Sequence, residues 1–183
     1  NFVKKSQIRK KFLKLRENKL QKIKLINHND IIKLLKKKGI KGKIVGGYYP
    51  YNNELDCIQI LEKLEKKDYI ISLPKIKKNF QMDFIQWSLK EPLVINKFGI
   101  PEPSNGKIKF PDILLIPLLS FDTKLNRVGY GGGFYDRYIH RIKRKKKPLL
   151  IGLAYSFQRV KSIPINRYDK KLDFVVTERK IIE

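Results

Sequence analysis

The glycine-rich segment at residues 127–137 is the part of the sequence best suited to chemistry. It reads Arg-Val-Gly-Tyr-Gly-Gly-Gly-Phe-Tyr-Asp-Arg, so two arginines, aromatic rings and an aspartate surround a run of glycines. Glycine lets the backbone take positive φ and approach a ligand closely, and the free N–H groups at a helix start attract anions. The flanking sequence predicts a buried strand at 113–116 and a helix at 135–146. A strand, a glycine loop and a helix in this order predict a phosphate or nucleotide site.

Two common phosphate-binding patterns do not fit this segment. A P-loop needs lysine and Ser or Thr after its glycines, and a dinucleotide-binding loop needs a last glycine where Phe134 stands. Arg127 could instead clamp a phosphate with its planar guanidinium, and Asp136 could hold Mg²⁺, which prefers a carboxylate together with phosphate oxygens. One alternative stays open at this point: the segment is a plain glycine turn and Asp136 caps the helix.

The elements that must position these residues alternate between helix and strand along the chain. The apolar pattern predicts helices at 2–24, from the break and N-cap at 27–30 to 39, at 54–67 and at 135–146. It predicts strands at 43–49, 69–73, 80–87, 112–117, 149–155 and 174–176, with a turn-rich loop at 99–106. This alternation predicts an α/β fold: a single three-layer domain over 1–183 with an open, mostly parallel twisted sheet and helices on both faces. Ligands bind beyond the carboxyl ends of such strands, where we expect the glycine loop.

The amino-acid composition limits the classes of protein to which the chain can belong. The chain has 183 residues, 42% of them hydrophobic, which predicts a folded domain with a sizeable core. It contains no apolar run of the roughly 20 residues that a membrane-spanning helix needs, so we expect no membrane partner. The single cysteine, Cys57, fits a reducing cytoplasm, and His28 and His140 have no cysteine partners for a zinc site.

The net charge of +25 raises the possibility of a nucleic-acid partner, because clustered cations displace counterions from phosphates. Most of these cations are lysines spread along the chain among abundant Ile and Asn, a pattern typical of codon bias. Arg-rich stripes and exposed aromatic platforms are missing. The densest run, at 143–147, closes a predicted helix, where cations suit the helix dipole. We therefore expect no specific nucleic acid, and a general attraction for anionic substrates.

The glycine segment belongs to a longer pattern that extends over nearly the whole chain. It follows the stretch 111–122, Pro-Asp-Ile-Leu-Leu-Ile-Pro-Leu-Leu-Ser-Phe-Asp, and near the start Lys5 and Arg9 form a Lys-x-x-x-Arg element, while 48–56 carries a glutamate. Further pieces follow in order: Met82, 98–103, 153–158, Pro164, Asp169 and 172–173. In their order and spacing these pieces resemble the 5-formyltetrahydrofolate cyclo-ligase family, also called methenyltetrahydrofolate synthetases.

The resemblance implies an enzyme that cyclises 5-formyltetrahydrofolate to 5,10-methenyltetrahydrofolate, with ATP as co-substrate, Mg²⁺ as cofactor, and release of ADP and phosphate. Transfer of the γ-phosphoryl group to the formyl oxygen would turn a poor leaving group into a good one. A neighbouring amine of the folate would then attack the activated carbon. The protein would chiefly position the two substrates and stabilise charge on the moving phosphoryl group.

The same resemblance assigns site residues in three groups. The residues that it places against ATP, the first three of them catalytic, are Lys5, Arg9, Arg127, Gly129, Gly131, Gly132, Gly133 and Tyr135. Those against folate are Tyr49, Glu54, Tyr130 and Phe134, and those that hold the metal are Asp136 and Asp169. Phe134 departs from the tyrosine of many family members, which leaves stacking at this position but removes a hydroxyl.

Several alternatives stay open. Glu54 could be a helix N-terminal residue favoured by the dipole, Lys5 and Arg9 a solvated basic face, and Trp87 a core residue rather than part of a folate pocket. Three rival functions remain: a cyclo-ligase-like relative without folate activity, a basic nucleic-acid-binding protein, and a nucleotide-binding regulator that binds ATP without turnover. Because the cations, the glutamate and both aspartates occur together, full cyclo-ligase activity is favoured over these rivals.

We expect the protein to be a monomer.

Overall fold

The computed structural model describes residues 4–19 and 26–183, which form an α/β fold around an eight-stranded sheet. The helices are α1 Lys5–Lys19, α2 His28–Lys37, α3 Ile58–Glu65 and α4 Phe134–Ile142. The strands are β1 Ile44–Gly46, β2 Ile70–Ile76, β3 Met82–Gln86, β4 Leu93–Ile95, β5 Pro101–Pro103, β6 Ile108–Lys109, β7 Ile113–Pro117, β8 Ser120–Phe121, β9 Arg127–Val128, β10 Leu149–Leu153, β11 Phe174–Val176 and β12 Ile181–Ile182. Among these described helices, none is long and apolar enough to cross a bilayer.

The large sheet has the strand order β12-β11-β10-β7-β1-β2-β3-β6. Its five central strands, from β11 to β2, run parallel. At the ends of the sheet β12 pairs antiparallel with β11, β3 with β2, and β6 with β3. Two small hairpins, β4–β5 and β8–β9, stand apart from it. The prediction of a mostly parallel α/β sheet is confirmed, and its physical basis is the run of short apolar strands that must be covered on both faces.

The strand β7 shows how the sheet divides the core into two layers. Its Ile113 and Leu115 pack into one apolar cluster with α2 and α3, while Leu114 and Ile116 pack into a second cluster with α4. All four side chains are fully buried, as expected for alternate residues of a central strand. Helices therefore cover both faces, as predicted.

Helix α1 packs outside these two layers, against the β8–β9 hairpin. Ile8 and Phe12 form a small buried cluster with Leu119, Val128 and Ile163. The predicted helix at 2–24 extends at both ends beyond the described residues. Because the apolar side of α1 faces the hairpin, its basic residues are brought beside the glycine loop that follows β9.

Several boundaries differ from the predictions for local reasons. The β8–β9 hairpin separates β7 from the glycine loop, and the Asp122 carboxylate stabilises its turn by accepting hydrogen bonds from the backbone N–H groups of Lys124 and Asn126 at 3.0 Å. The predicted loop at 99–106 contains β5, which pairs with β4. Helix α3 starts at Ile58 rather than at 54, α4 ends at Ile142 rather than at 146, and β3 starts at Met82 rather than at 80.

Candidate active site

A cleft of about 1450 Å³ opens beyond the carboxyl ends of β1, β2 and β7. Its walls include residues after β1, the last residues of β2 and β7, the glycine loop, one side of α4 and the segment 166–170. All the residues assigned by the resemblance lie along this one cleft: Lys5, Arg9, Tyr49, Glu54, Arg127, Gly129, Tyr130, Gly131, Gly132, Gly133, Phe134, Tyr135, Asp136 and Asp169. The tertiary structure thus brings together residues from both ends of the chain.

The glycine loop turns sharply between β9 and α4. Gly131 has φ of 105° and Gly133, which precedes the first residue of α4, has φ of 66°. A Cβ atom on Gly132 would stand 2.6 Å from the Phe134 ring. The N-cap residue Gly133 has no side chain, and no described side chain caps α4, so the N–H groups at the start of this helix lack a capping acceptor. Free N–H groups and the helix dipole make this a favourable place for an anion.

Two arginines hold the backbone of the loop from either side. Arg9 of α1 donates from Nε to the carbonyl oxygen of Gly129 at 2.9 Å, and Arg137 of α4 donates to the carbonyl oxygen of Gly132. Arg9 therefore contacts the loop directly, and the interpretation of Arg9 as part of a solvated basic face is wrong. These two hydrogen bonds engage carbonyl oxygens of the loop and none of its N–H groups.

Arg127 lies at the centre of the cleft wall, and its side chain is only 7% exposed. One terminal nitrogen, Nη2, donates to Oδ1 of Asp136 at 2.9 Å. Its Nε is buried and has no hydrogen-bond partner among the described residues. A buried N–H group without an acceptor costs stability, so the Arg127 side chain is held here at an energetic cost.

The two aspartates assigned to a metal lie along the same wall, each beside a cation. Lys5 of α1 forms an ion pair with Asp169, while Arg127 pairs with Asp136. The backbone N–H of Lys170 donates to Oδ1 of Asp136 at 2.9 Å, which ties the 166–170 segment to α4. The capping interpretation of Asp136 is wrong, because the residue lies inside α4 and Gly133 precedes the helix.

The donor set of this wall suits Mg²⁺ only together with a phosphate ligand. Within residues 4–19 and 26–183, no group of three or more His, Cys, Asp and Glu side chains could hold a metal alone. The hydrogen bonds described above use Oδ1 of Asp136 and Oδ2 of Asp169, which leaves the other oxygen of each carboxylate. Mg²⁺ is commonly held by one or two carboxylates plus substrate phosphates, and these residues fit that pattern.

Glu54 also lines the cleft, close to Tyr130 of the glycine loop, and precedes α3 by four residues. Its position before the helix excludes the interpretation as a helix N-terminal residue. The side chain is buried, and its Oε2 accepts a hydrogen bond from the backbone N–H of Tyr51 at 2.9 Å. Burial raises the pKa of Glu54 to about 7, against the lowering effects of the Tyr51 N–H and of the Arg16 charge. The carboxyl therefore titrates near neutral pH.

Tyr135 lies near both Glu54 and Arg127. Its hydroxyl is buried and has no hydrogen-bond partner among the described residues. Burial raises the pKa of Tyr135, the nearby Glu54 charge raises it further, and the charge of Arg127 lowers it. Tyr135 is therefore close enough to both Glu54 and Arg127 for each charge to shift its pKa.

Residues that the sequence did not reveal complete the cleft. The Phe80 and Phe98 rings stand 5.8 and 6.0 Å from the ring of Phe134, and together they form an aromatic wall at the β4–β5 side. No local pattern marks Phe80 or Phe98, because their approach to Phe134 depends on the docking of the hairpin. Trp87, by contrast, is buried in the core, as its alternative interpretation predicts.

Glu54→Gln is expected to stabilise the protein at pH 8 and to change its stability little at pH 4. A carboxyl whose folded-state pKa is raised from 4.5 to about 7 contributes stability that is complete below 4.5 and is lost as the pH rises through 7. Glutamine resembles the protonated form at every pH, so the expected gain at pH 8 is about 3 kcal/mol. Urea unfolding at both pH values measures it. The exposed Glu62→Gln serves as the control, and an equal effect of Glu54→Gln at both pH values would contradict the assignment.

An α/β sheet with a glycine-lined, cationic cleft at its carboxyl edge defines a protein built to bind an anionic small molecule. Comparison with known families makes the class specific. The model of the 5-formyltetrahydrofolate cyclo-ligase family matches residues 1–178, and the chain belongs to this family of enzymes. The resemblance noted in the sequence is thereby confirmed.

Individual relatives agree with the family. The chain is 33% identical over 140 residues to the 5-formyltetrahydrofolate cyclo-ligase of Haemophilus influenzae, which covers 72% of this chain and 74% of the relative. The cyclo-ligase of Escherichia coli K12 is 31% identical over 147 residues, covering 76% of this chain and 80% of the relative.

Solved structures show the same fold. The 5,10-methenyltetrahydrofolate synthetase of Mycoplasma pneumoniae superposes with a TM-score of 0.72 at 23% identity, covering 96% of this chain and 99% of the other. The NMR structure of the Aquifex aeolicus synthetase gives a TM-score of 0.73 at 28% identity, covering 97% of this chain and 91% of the other.

Proposed function

We propose that this chain cyclises 5-formyltetrahydrofolate to 5,10-methenyltetrahydrofolate in a reaction that needs ATP and Mg²⁺ and releases ADP and phosphate. The observation that carries the proposal is the single cleft with two chemically different sides. One side offers cations and free N–H groups from the glycine loop, and the other offers the buried carboxyl of Glu54. Tyr135 lies within reach of both sides.

The cationic side is the proposed ATP site. Lys5 and Arg9 lie one turn apart on α1, and Arg127 lines the same cleft, so three cations are available to one triphosphate. The N–H groups of the glycine loop supply further donors. Asp136 and Asp169 would hold Mg²⁺ there, and the bound ion would supply neutralisation of charge on the phosphate oxygens.

The Glu54 side is the proposed folate site. An ionised carboxylate accepts paired hydrogen bonds from an amino-pyrimidine ring, and the aromatic wall at Phe80, Phe98 and Phe134 offers apolar surface to the rest of the molecule. Tyr49, which is 37% exposed at the cleft edge, and Tyr130 add aromatic surface beside Glu54. This side therefore binds a flat, partly polar substrate.

The chemistry follows from placing the two substrates end to end. The formyl oxygen attacks the γ-phosphorus, the bond to the ADP oxygen breaks, and the formyl carbon becomes activated by a phosphate leaving group. The neighbouring amine nitrogen attacks that carbon, its proton leaves, and phosphate departs with the C–O bond electrons. Arg127, with its free Nε, stabilises the charge of the moving phosphoryl group.

The test is the near-ultraviolet absorbance of the methenyl product, followed with 5-formyltetrahydrofolate, ATP and Mg²⁺, each omitted in turn. We expect an increase in absorbance only when all three are present. A folded, ATP-binding protein that forms no product would overturn the proposal in favour of a relative without folate activity. Nucleic-acid binding with a steep salt dependence, and no turnover, would favour the basic-protein interpretation.

Gly131→Ala is expected to weaken ATP binding by about 10-fold, because alanine strongly disfavours positive φ. The native φ is 105°, and the new Cβ would stand 3.2 Å from the Arg9 guanidinium carbon, so the loop would have to move. Isothermal titration with ATP and Mg²⁺ measures the change. Gly39→Ala is the matched control, since Gly39 has φ of 63° with no atom within 4 Å of the new Cβ. Equal ATP affinity in the two variants would contradict the role of the loop.

A further inference from the structure

Arg16 is a buried arginine beneath the cleft, outside every group of residues assigned above. Its side chain belongs to α1 and is only 2% exposed. Nη1 donates to the Tyr130 hydroxyl at 2.6 Å and to the carbonyl oxygen of Asn52 at 3.4 Å, while Nη2 donates to the carbonyl oxygen of Leu118. One guanidinium thus joins four segments: α1, the loop before Glu54, the β7–β8 connection and the glycine loop.

We propose that Arg16 is a positioning residue that fixes Glu54 and Tyr130 relative to each other on the folate side of the cleft. This inference rests on the proposed function of that side. Asn52 lies two residues before Glu54, so the hydrogen bond from Arg16 fixes the loop that carries the carboxyl. The bond to the Tyr130 hydroxyl fixes the aromatic side chain of the glycine loop. Arg16 itself does not line the cleft.

The charge of Arg16 also acts on Glu54. The titratable groups around this carboxyl are Tyr48 and Cys57 from the flanking segments, Tyr130 from the glycine loop and Tyr135 from α4. All four are neutral at pH 7, and burial raises the pKa of each further. Arg16 is therefore the cation that offsets the burial of Glu54 and lowers its pKa.

The rest of the site does not need Arg16 for its shape. The glycine loop keeps its contacts with Arg9 at Gly129 and with Arg137 at Gly132. Helix α1 keeps its apolar contacts with the β8–β9 hairpin. Loss of Arg16 should consequently disturb the folate side of the cleft and spare the ATP side.

Arg16→Met tests the inference through separate kinetic constants. We expect kcat/KM for 5-formyltetrahydrofolate to fall by about 10- to 100-fold, and the KM for ATP to stay within about twofold. The acidic limb of the pH–rate profile should move to higher pH, because Glu54 loses the cation that lowers its pKa. Arg16→Lys should keep the acidic limb of the pH–rate profile near its wild-type position, because lysine retains the charge. It should recover only part of kcat/KM, because lysine lacks the planar guanidinium that makes three hydrogen bonds. Lys14→Met, which removes an exposed cation from the same helix, is the matched control.

A second measurement is independent of turnover. Protein labelled with ¹³C at glutamate carboxyl carbons gives a titration curve for Glu54, identified as the signal that Glu54→Gln removes. Arg16→Met should raise this midpoint above the wild-type value and Lys14→Met should not. Unchanged midpoint and kinetics in a folded Arg16→Met protein would overturn the inference while leaving the proposed function intact. Absence of turnover in the wild type would overturn the function, and the carboxyl titration would still decide whether Arg16 positions Glu54.

Discussion

Replacing Arg127 by methionine is expected to lower kcat for methenyl formation by about 1000-fold. The reason is the position of its guanidinium, which is buried in the cleft wall, holds Asp136 through one nitrogen and has no acceptor for Nε in the described part of the chain. A preorganised donor in a buried site stabilises developing charge without reorganisation, and that stabilisation exists only when phosphoryl transfer is under way. The effect should therefore fall mainly on kcat, as measured by initial rates at saturating ATP and folate.

Two further variants separate this role from a structural one. Arg127→Lys keeps the charge but loses the planar fork, so we expect a kcat between those of the wild type and Arg127→Met. Arg179→Met removes an arginine whose side chain is 78% exposed, and it should leave kcat unchanged. Thermal unfolding checks that each variant is folded. If a folded Arg127→Met retained more than about a tenth of wild-type kcat, Arg127 would not stabilise the transferred group.

Glu54→Gln should raise the KM for 5-formyltetrahydrofolate by about 100-fold while leaving ATP affinity nearly unchanged. Glutamine keeps the shape of the side chain but removes the negative charge that two ring donors would share. The wild-type pH profile should also change. Because the pKa of Glu54 is about 7, wild-type activity should fall as the pH drops through 7, and this limb should disappear in the variant.

We expect Glu54→Gln to weaken folate binding but to stabilise the fold. The substitution that weakens folate binding is the one expected to stabilise the fold at pH 8, because burial of the ionised carboxyl is costly. Glu62→Gln, on the exposed face of α3, should alter neither KM nor the pH profile. A wild-type profile that stays flat between pH 6 and 8 would show that the charge of Glu54 is not used in binding.

Several features of the site could be predicted from local sequence. The glycines at 129–133 indicated a tight, ligand-facing loop, and the loop indeed takes positive φ at Gly131 and Gly133. The apolar strand at 113–117 was found where its pattern placed it, with both faces buried. The hairpin between that strand and the loop was missed, because the Asp122 contacts that form its turn leave no periodic signal.

Other features depended on contacts between distant residues. Lys5 and Asp169 form an ion pair although 164 residues separate them, and no spacing in the sequence could have paired them without a family resemblance. Arg16 was missed as well, although it lies seven residues after Arg9 and so on the same helical face. Its burial, and not its spacing, distinguishes it from the many exposed cations of this chain.

The sequence by itself determined the class of fold and the backbone conformation of the glycine loop. Both depend on apolar periodicity and on glycine, whose effects extend over only a few neighbouring residues. The tertiary structure decided which charges meet and which are buried. Glu54 titrates near neutral pH because the chain folds around it, and Arg127 is buried beside Asp136 of α4 although nine residues separate the two in the sequence. Such properties arise from desolvation and long-range packing, which the sheet order sets and local sequence does not.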